Sequence, residues 1–127
     1  MAIRTELSLR LPNSPGALGD VCRLLAEERV NIAALSLDTA GQLRLVVDNH
    51  LHGAAVLREH HHRVVERDVI VLSVSHRPGG VAPALRLVSQ AGVNVEYVYG
   101  GGFDGAPMGI VVLGVDEAVR AAASAGV

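Results

Sequence analysis

Apolar and polar residues alternate along the first stretch of the chain. Ile3, Thr5, Leu7, Leu9 and Leu11 fall on one side, Arg4, Glu6, Ser8 and Arg10 on the other. A period of two predicts a strand with one buried face. Residues 12–16 (Pro-Asn-Ser-Pro-Gly) break the pattern, and Ser14-Pro15 reads as an N-cap followed by a first helical residue. Leu18, Val21, Cys22 and Leu25 then recur at i, i+3, i+4, i+7, the stripe of an amphipathic helix. Residues 31–38 and 42–48 read as strands, joined by a turn at Thr39-Ala40-Gly41. His50 to His62 predicts a second helix, weakened by Gly53. Arg63 to Ile70 returns to a strand pattern able to run straight into the segment that follows.

That following segment repeats the first. Pro15-Gly16-Ala17-Leu18 leads through a helix to Val30-Asn31-Ile32, and Pro78-Gly79-Gly80-Val81 leads through another to Val93-Asn94-Val95. At a constant offset of 63 residues, Arg23 matches Arg86, Asn31 matches Asn94, and Leu9 matches Leu72. Apolar positions and breakers agree in phase without a gap, so the chain holds two copies of one supersecondary unit. In the second copy, 69–75 predicts a strand, 80–91 a helix, 93–100 a strand and 108–115 a strand, with Asp116 capping a helix to about Ala125. The order βαββαβ is an α+β, ferredoxin-like arrangement, with antiparallel strands and the helices on one face. Residues 1–67 are expected to form the first unit and 68–127 the second, which lacks or shares its last strand. The sheet edge this leaves is expected to be covered by a second copy of the chain, making a homodimer.

Composition narrows the function classes. The 127 residues are 50% apolar and carry a formal charge of −2, which gives no electrostatic footprint for nucleic acid. One Phe, two Tyr and no Trp leave almost no stacking platform for single strands. No apolar run reaches the roughly 18 residues of a membrane span, and no signal peptide is visible, so a cytoplasmic protein is expected. A single Cys22 excludes an internal disulfide and a multi-cysteine metal site.

A strand ending at Pro-Gly-x-Leu (Val81 replaces the Leu in the second copy), then an amphipathic helix, then Val-Asn-Ile opening a strand, resembles the ACT family of small-ligand-binding regulatory domains. Two such units in so short a chain are similar to the stand-alone tandem ACT proteins. The resemblance implies an amino acid held at an interface between two ACT units. It also implies an allosteric output passed to an associated enzyme, regulated in trans here, and no catalysis or cofactor of the chain's own.

The residues point to the loop before each first helix. Helix N-terminal N–H groups lack internal partners and favour anions, and Gly16, or Gly79 with Gly80, removes side-chain bulk from their approach. The candidate ligand-binding residues are Asn13, Ser14, Gly16, Ala17 and Leu18 in the first copy. In the second they are Arg77, Gly79, Gly80 and Val81, with Arg77 adding a fixed positive charge. A plain strand-to-helix turn explains the same prolines and glycines. Asn31 and Asn94 offer an amide able to meet both a carboxylate and an ammonium; equally, Asn suits the left-handed conformation that ends helices. Tyr97, with Tyr99, can wall an apolar pocket or simply pack. Asp104 in the 100–106 glycine loop can pair an ammonium, or belong to a hairpin tip.

Other chemistry is weaker. Cys22 matches Leu85 in the repeat, and both are placed on an apolar stripe, so a buried, inert thiol is expected. His60-His61-His62 invites a metal, yet successive helical residues point about 100° apart, and a solvated helix end is the plainer account. The alternative functions are a metal-responsive unit using His50, His52 and His60–His62, or a pure protein–protein interaction module.

Overall fold

The computed structural model describes residues 2–119. It contains six strands, β1 (Ala2–Arg10), β2 (Ile32–Leu37), β3 (Gln42–Val47), β4 (Val65–Ser75), β5 (Val95–Gly101) and β6 (Met108–Val115). Three helices, α1 (Ala17–Glu27), α2 (His50–Glu59) and α3 (Ala82–Gln90), complete the described elements. A further helical turn begins at Ala118; the rest of the expected last helix lies outside the described residues. The chain divides into two compact units, Thr5–Arg67 and the residues from Asp68 onward, the latter also taking in residues 2–4. β4 runs unbroken from one unit into the next, as the strand pattern from Arg63 suggested.

In the first unit, β3 pairs antiparallel with both β1 (Leu7 opposite Leu45, Leu9 opposite Leu43) and β2 (Leu35 opposite Leu45). The alternating face of β1 becomes core: Leu7, Leu9 and Leu11 are buried with Leu43, Leu45 and Val47. Val21 and Leu25 of α1, and Ala54 and Leu57 of α2, pack on the same face. The alternation fails at two positions. Ile3 is exposed, and Glu6, on the polar side of the pattern, is buried and partnered.

Gly53 does more than weaken α2. A Cβ there would stand 3.3 Å from Val47 and 3.4 Å from Leu7, so the glycine lets the helix approach the sheet closely. Asn49 caps α2 by accepting the His52 N–H at 3.1 Å.

In the second unit, β6 pairs antiparallel with β4 (Leu72 opposite Val111) and with β5 (Tyr97 opposite Gly114). Ile70, Leu72, Val74, Val111, Leu113 and Val115 form its core with Val88 and Val93. The residues of α3 and its C-cap that pack on it are Ala84, Val88 and Ala91, spaced i, i+4, i+7. This corrects the expected pairing of Cys22 with Leu85 as core residues. The repeat partners that face the two cores are Val21 with Ala84 and Leu25 with Val88; Cys22 is half-buried and Leu85 exposed, each one step round the helix.

The three helices α1, α2 and α3 of the described residues end alike. Val30 N–H donates to the Leu25 carbonyl and Arg29 N–H to that of Ala26; Val93 and Gly92 repeat this with Val88 and Ser89, and His62 and His61 with Leu57 and Arg58. These paired bonds are the Schellman arrangement, whose penultimate residue takes positive φ. That residue is Arg29 (58°), His61 (68°) or Gly92 (72°).

Candidate functional site

Each repeat opens a cleft where its first strand gives way to its first helix. In the first unit the helix starts later than Ser14-Pro15 suggested. Gly16, at φ 87°, is the N-cap and makes no side-chain bond, while Ser14 only accepts the Ala17 N–H through its carbonyl. The reason is the chain reversal at Gly16, whose left-handed backbone costs a residue with a side chain about 1–2 kcal/mol. The β2–β3 hairpin faces this turn. Asp38 Oδ1 accepts the N–H groups of Ala40 and Gln42, each at 3.0 Å, and the Gly41 carbonyl accepts the Leu11 N–H at 2.8 Å. A Cβ on Gly41 would stand 2.7 Å from the Leu11 carbonyl, so only glycine lets hairpin and strand end meet here.

Between hairpin and helix lies a cleft of about 190 Å³, lined by Asn13, Ser14, Gly16, Ala17 and Leu18 on one side and Asp38, Thr39 and Gly41 on the other. The Gln42 N–H, foremost, holds the Asp38 carboxyl below its ordinary value; the Ala40 N–H and Arg44 act the same way, against a desolvation penalty. Arg44 stands 3.5 Å from Asp38 Oδ2. Asp38 was not among the expected site residues. Its signal was available: an acidic residue at the first position of a turn ending in glycine.

The second unit has a cleft of about 420 Å³ at the same turn but on its helix side, lined by Ser73, Ser75, Arg77, Gly79, Gly80, Pro83, Leu87 and Met108 among others. Gly79 takes φ 78°, and a Cβ on Gly80 would run into the Ser75 carbonyl. Pro83 sits in the first turn of α3, where its missing N–H costs nothing. The long glycine loop closes back on this region: Pro107 accepts the His76 N–H, and Gly102 lies flat against the His76 imidazole.

Eight of the twelve expected residues therefore line the clefts: Asn13, Ser14, Gly16, Ala17 and Leu18 in one, Arg77, Gly79 and Gly80 in the other. The remaining four do not. Val81 is the N-cap position of α3. Tyr97 lays its ring over Gly114 and beside Tyr99, with ring centroids 6.3 Å apart and planes within 10°. Its partners Gly114 and Val112 alternate with the core residues Leu113 and Val115, so Tyr97 and Tyr99 occupy the other sheet face.

Asn31 and Asn94 do not adopt the left-handed conformation foreseen for them; Arg29 and Gly92, two residues earlier, do. Both asparagines pair through their backbone with an aspartate beyond the next two strands. Asp48 Oδ1 accepts the Asn31 N–H at 3.0 Å and Asp116 Oδ1 that of Asn94 at 3.1 Å, while each Asp N–H donates to the Asn carbonyl. The repeat thus extends to an Asn–Asp brace that a fixed offset hid, because the second hairpin loop is longer. Asp104 is exposed at that loop's tip and away from the cleft lining.

His60, His61 and His62 serve the end of α2. His61 and His62 make the terminal bonds described above, and His60 Nδ1 lies 3.0 Å from the Val56 carbonyl, an acceptor that places the ring proton on that nitrogen. Among the described residues, no three His, Cys, Asp or Glu side chains are grouped to hold a metal ion. No described helix is long and apolar enough to cross a membrane.

The described residues form two repeated units with like cores and like helix ends, and a family model for an ACT domain pair matches residues 1–124. The chain belongs to the ACT domain pair family. A crystal structure of a protein from Bacteroides thetaiotaomicron is similar at 28% identity and a TM-score of 0.86, covering 98% of this chain and 87% of that one. The regulatory subunit of aspartate kinase from Thermus flavus shares the fold at 17% identity and TM-score 0.65, with 98% and 94% covered. Its ligand-free counterpart from Thermus thermophilus does so at 18% and 0.67, with 98% and 92% covered. Among curated proteins, none matches the sequence significantly.

Proposed function

We propose that this ACT domain pair is a regulatory protein that binds a small carboxylate-bearing metabolite, foremost an amino acid, and does not transform it. The observation that carries this reading is the cleft repeated at the mouth of α1 and α3, each bordered by a left-handed glycine and a helix start. First-turn N–H groups there offer donors to a carboxylate, and the helix dipole favours the same charge. The likeness to regulatory subunits of aspartate kinase supports a role in controlling an enzyme carried on another chain.

Regulation would follow from differential affinity. A ligand that binds one arrangement of the protein better than another shifts the equilibrium by that difference and no more. A second copy of the chain would close the open side of a cleft, which makes a homodimer the expected working form. Sedimentation at micromolar concentration should show it, and a stable monomer with and without ligand would argue against that part.

The direct test is a thermal-shift panel of the twenty common amino acids beside nickel, zinc and copper. A ligand that binds the native state must raise the melting temperature, by an amount equivalent to about 2.7 kcal/mol at a hundred times its Kd. At least one amino acid should do so. Ala17→Asp places a carboxylate where a helix start tolerates it and should repel a ligand from the first cleft without unfolding the chain. Stabilisation by metals alone would overturn the proposal.

A further inference from the structure

The two clefts border the same turn of the repeat but on different sides, the first towards the hairpin and the second towards α3, and their charged groups differ in sign. At the position of Ser14 in the first unit, the second has Arg77. The first cleft is lined by one charged side chain, Asp38, and the second by one, Arg77. Asp38 is fixed by the hairpin: Oδ1 accepts two backbone N–H groups, and Oδ2 meets Arg44 only at 3.5 Å. Two carboxylate oxygens offer about four acceptor sites, so Oδ2 keeps room for a donor. Arg44 itself is not part of the cleft lining, and the neighbouring Arg10 guanidinium is directed to the Ala40 carbonyl at 2.6 Å. Among the described residues, the second cleft has no acidic residue in its lining, and its acidic loop residue, Asp104, stands clear of it.

We infer that the two clefts take different ligand classes: the first a zwitterionic α-amino acid, its ammonium against Asp38, and the second an anion without an ammonium, held by Arg77. This rests on the ligand-binding reading above and divides it between the repeats. An ammonium entering the second cleft would meet a guanidinium and no acceptor of opposite charge, whereas a bare carboxylate entering the first would meet Asp38 and be repelled. One chain would then report on two metabolites at once.

The test pairs each primary L-amino acid with the carboxylic acid that lacks only its amino group, and follows backbone amide shifts by NMR in the full chain. The amino acids should perturb the Gly16–Gly19 and Gly41 amides, and the bare acids those of Arg77–Ala84. Asp38→Asn keeps an oxygen for the Ala40 and Gln42 N–H groups while losing the charge. It should weaken amino-acid binding about tenfold or more and leave the bare acids unaffected. Arg77→Gln should do the reverse. Perturbation of both clefts by both classes, or an Asp38→Asn variant with unchanged affinity, would overturn the charge assignment and leave ligand binding intact. No perturbation of either cleft by any probe would overturn both readings.

Discussion

The first and second units reach the same fold with different resources. Val21 and Leu25 of α1 are matched by the smaller Ala84 and Val88 of α3, so the second helix buries less apolar volume at the same two places. Leu87 of α3, unneeded by that core, is exposed and lines the wider cleft. The helix ends reverse the advantage. The first unit closes α1 with Arg29 at φ 58°, where an L side chain is strained, while the second uses Gly92 at 72°. A repeat conserves the places where backbone must bend and bonds must close, and lets side-chain volume drift.

That contrast can be broken most sharply in the cores. Leu25→Ala should cost about 3 kcal/mol by urea denaturation, since it removes a fully buried side chain and leaves a cavity. Val88→Ala should cost about 2 kcal/mol, because fewer methyl groups are lost. Equal losses would show that α3 is as heavily used as α1. In the first unit, Gly53→Val should cost roughly 1–3 kcal/mol by overpacking against Val47 and Leu7. A stabilised Gly53→Val would mean that the α2–sheet contact relaxes freely.

The helix ends give a smaller, reciprocal test. Arg29→Gly relieves a left-handed side-chain residue and should raise stability by up to about 1 kcal/mol, while Gly92→Arg should lower it by about 1–2 kcal/mol. Both changes lie at chain reversals with the Schellman bonds intact, so circular dichroism should show unchanged helix content. If the two substitutions shift the urea midpoint in the same direction, the ends are not equivalent despite their matching bonds.

Most of the architecture could be read in advance because it depends on periodicity. Leu7, Leu9, Val21 and Leu25 announce their burial by spacing alone, and the 63-residue offset doubles the signal. What could not be read depends on close approach between distant segments. Nothing near Gly53 in the chain reveals that Val47 and Leu7 crowd it, and a glycine inside a helix reads only as a loss of propensity. The role of Asn31 was misplaced for the same reason: its partner Asp48 lies across a hairpin, and the left-handed residue is Arg29, a type rarely expected there. In the candidate site, the glycine-bordered loops were visible as breakers. Asp38 joined them only when the hairpin folded over the strand end, and Tyr97 lies outside both cleft linings, on a strand whose register shifts between Val95 and Tyr97.

The subtlest difference between the clefts is their response to acid. The Gln42 and Ala40 N–H groups and Arg44 hold the folded Asp38 carboxyl below its ordinary value of 3.8. A carboxyl whose folded pKa is depressed binds its proton more readily in the unfolded chain. Its contribution is therefore complete above the unfolded value and is lost as pH falls through the folded one. Asp38 is exposed, so the change is small and confined to pH below about 4. Asp38→Asn keeps the backbone bonds through its amide oxygen but cannot titrate, and should flatten the acid limb of the urea midpoint against pH and lower the neutral plateau by the same small amount. Arg77→Gln removes a charge that does not titrate in this range and should leave the acid limb's slope as it is. If both variants flatten the limb alike, the acid response comes from general charge balance and the hairpin carboxylate has no special part in it.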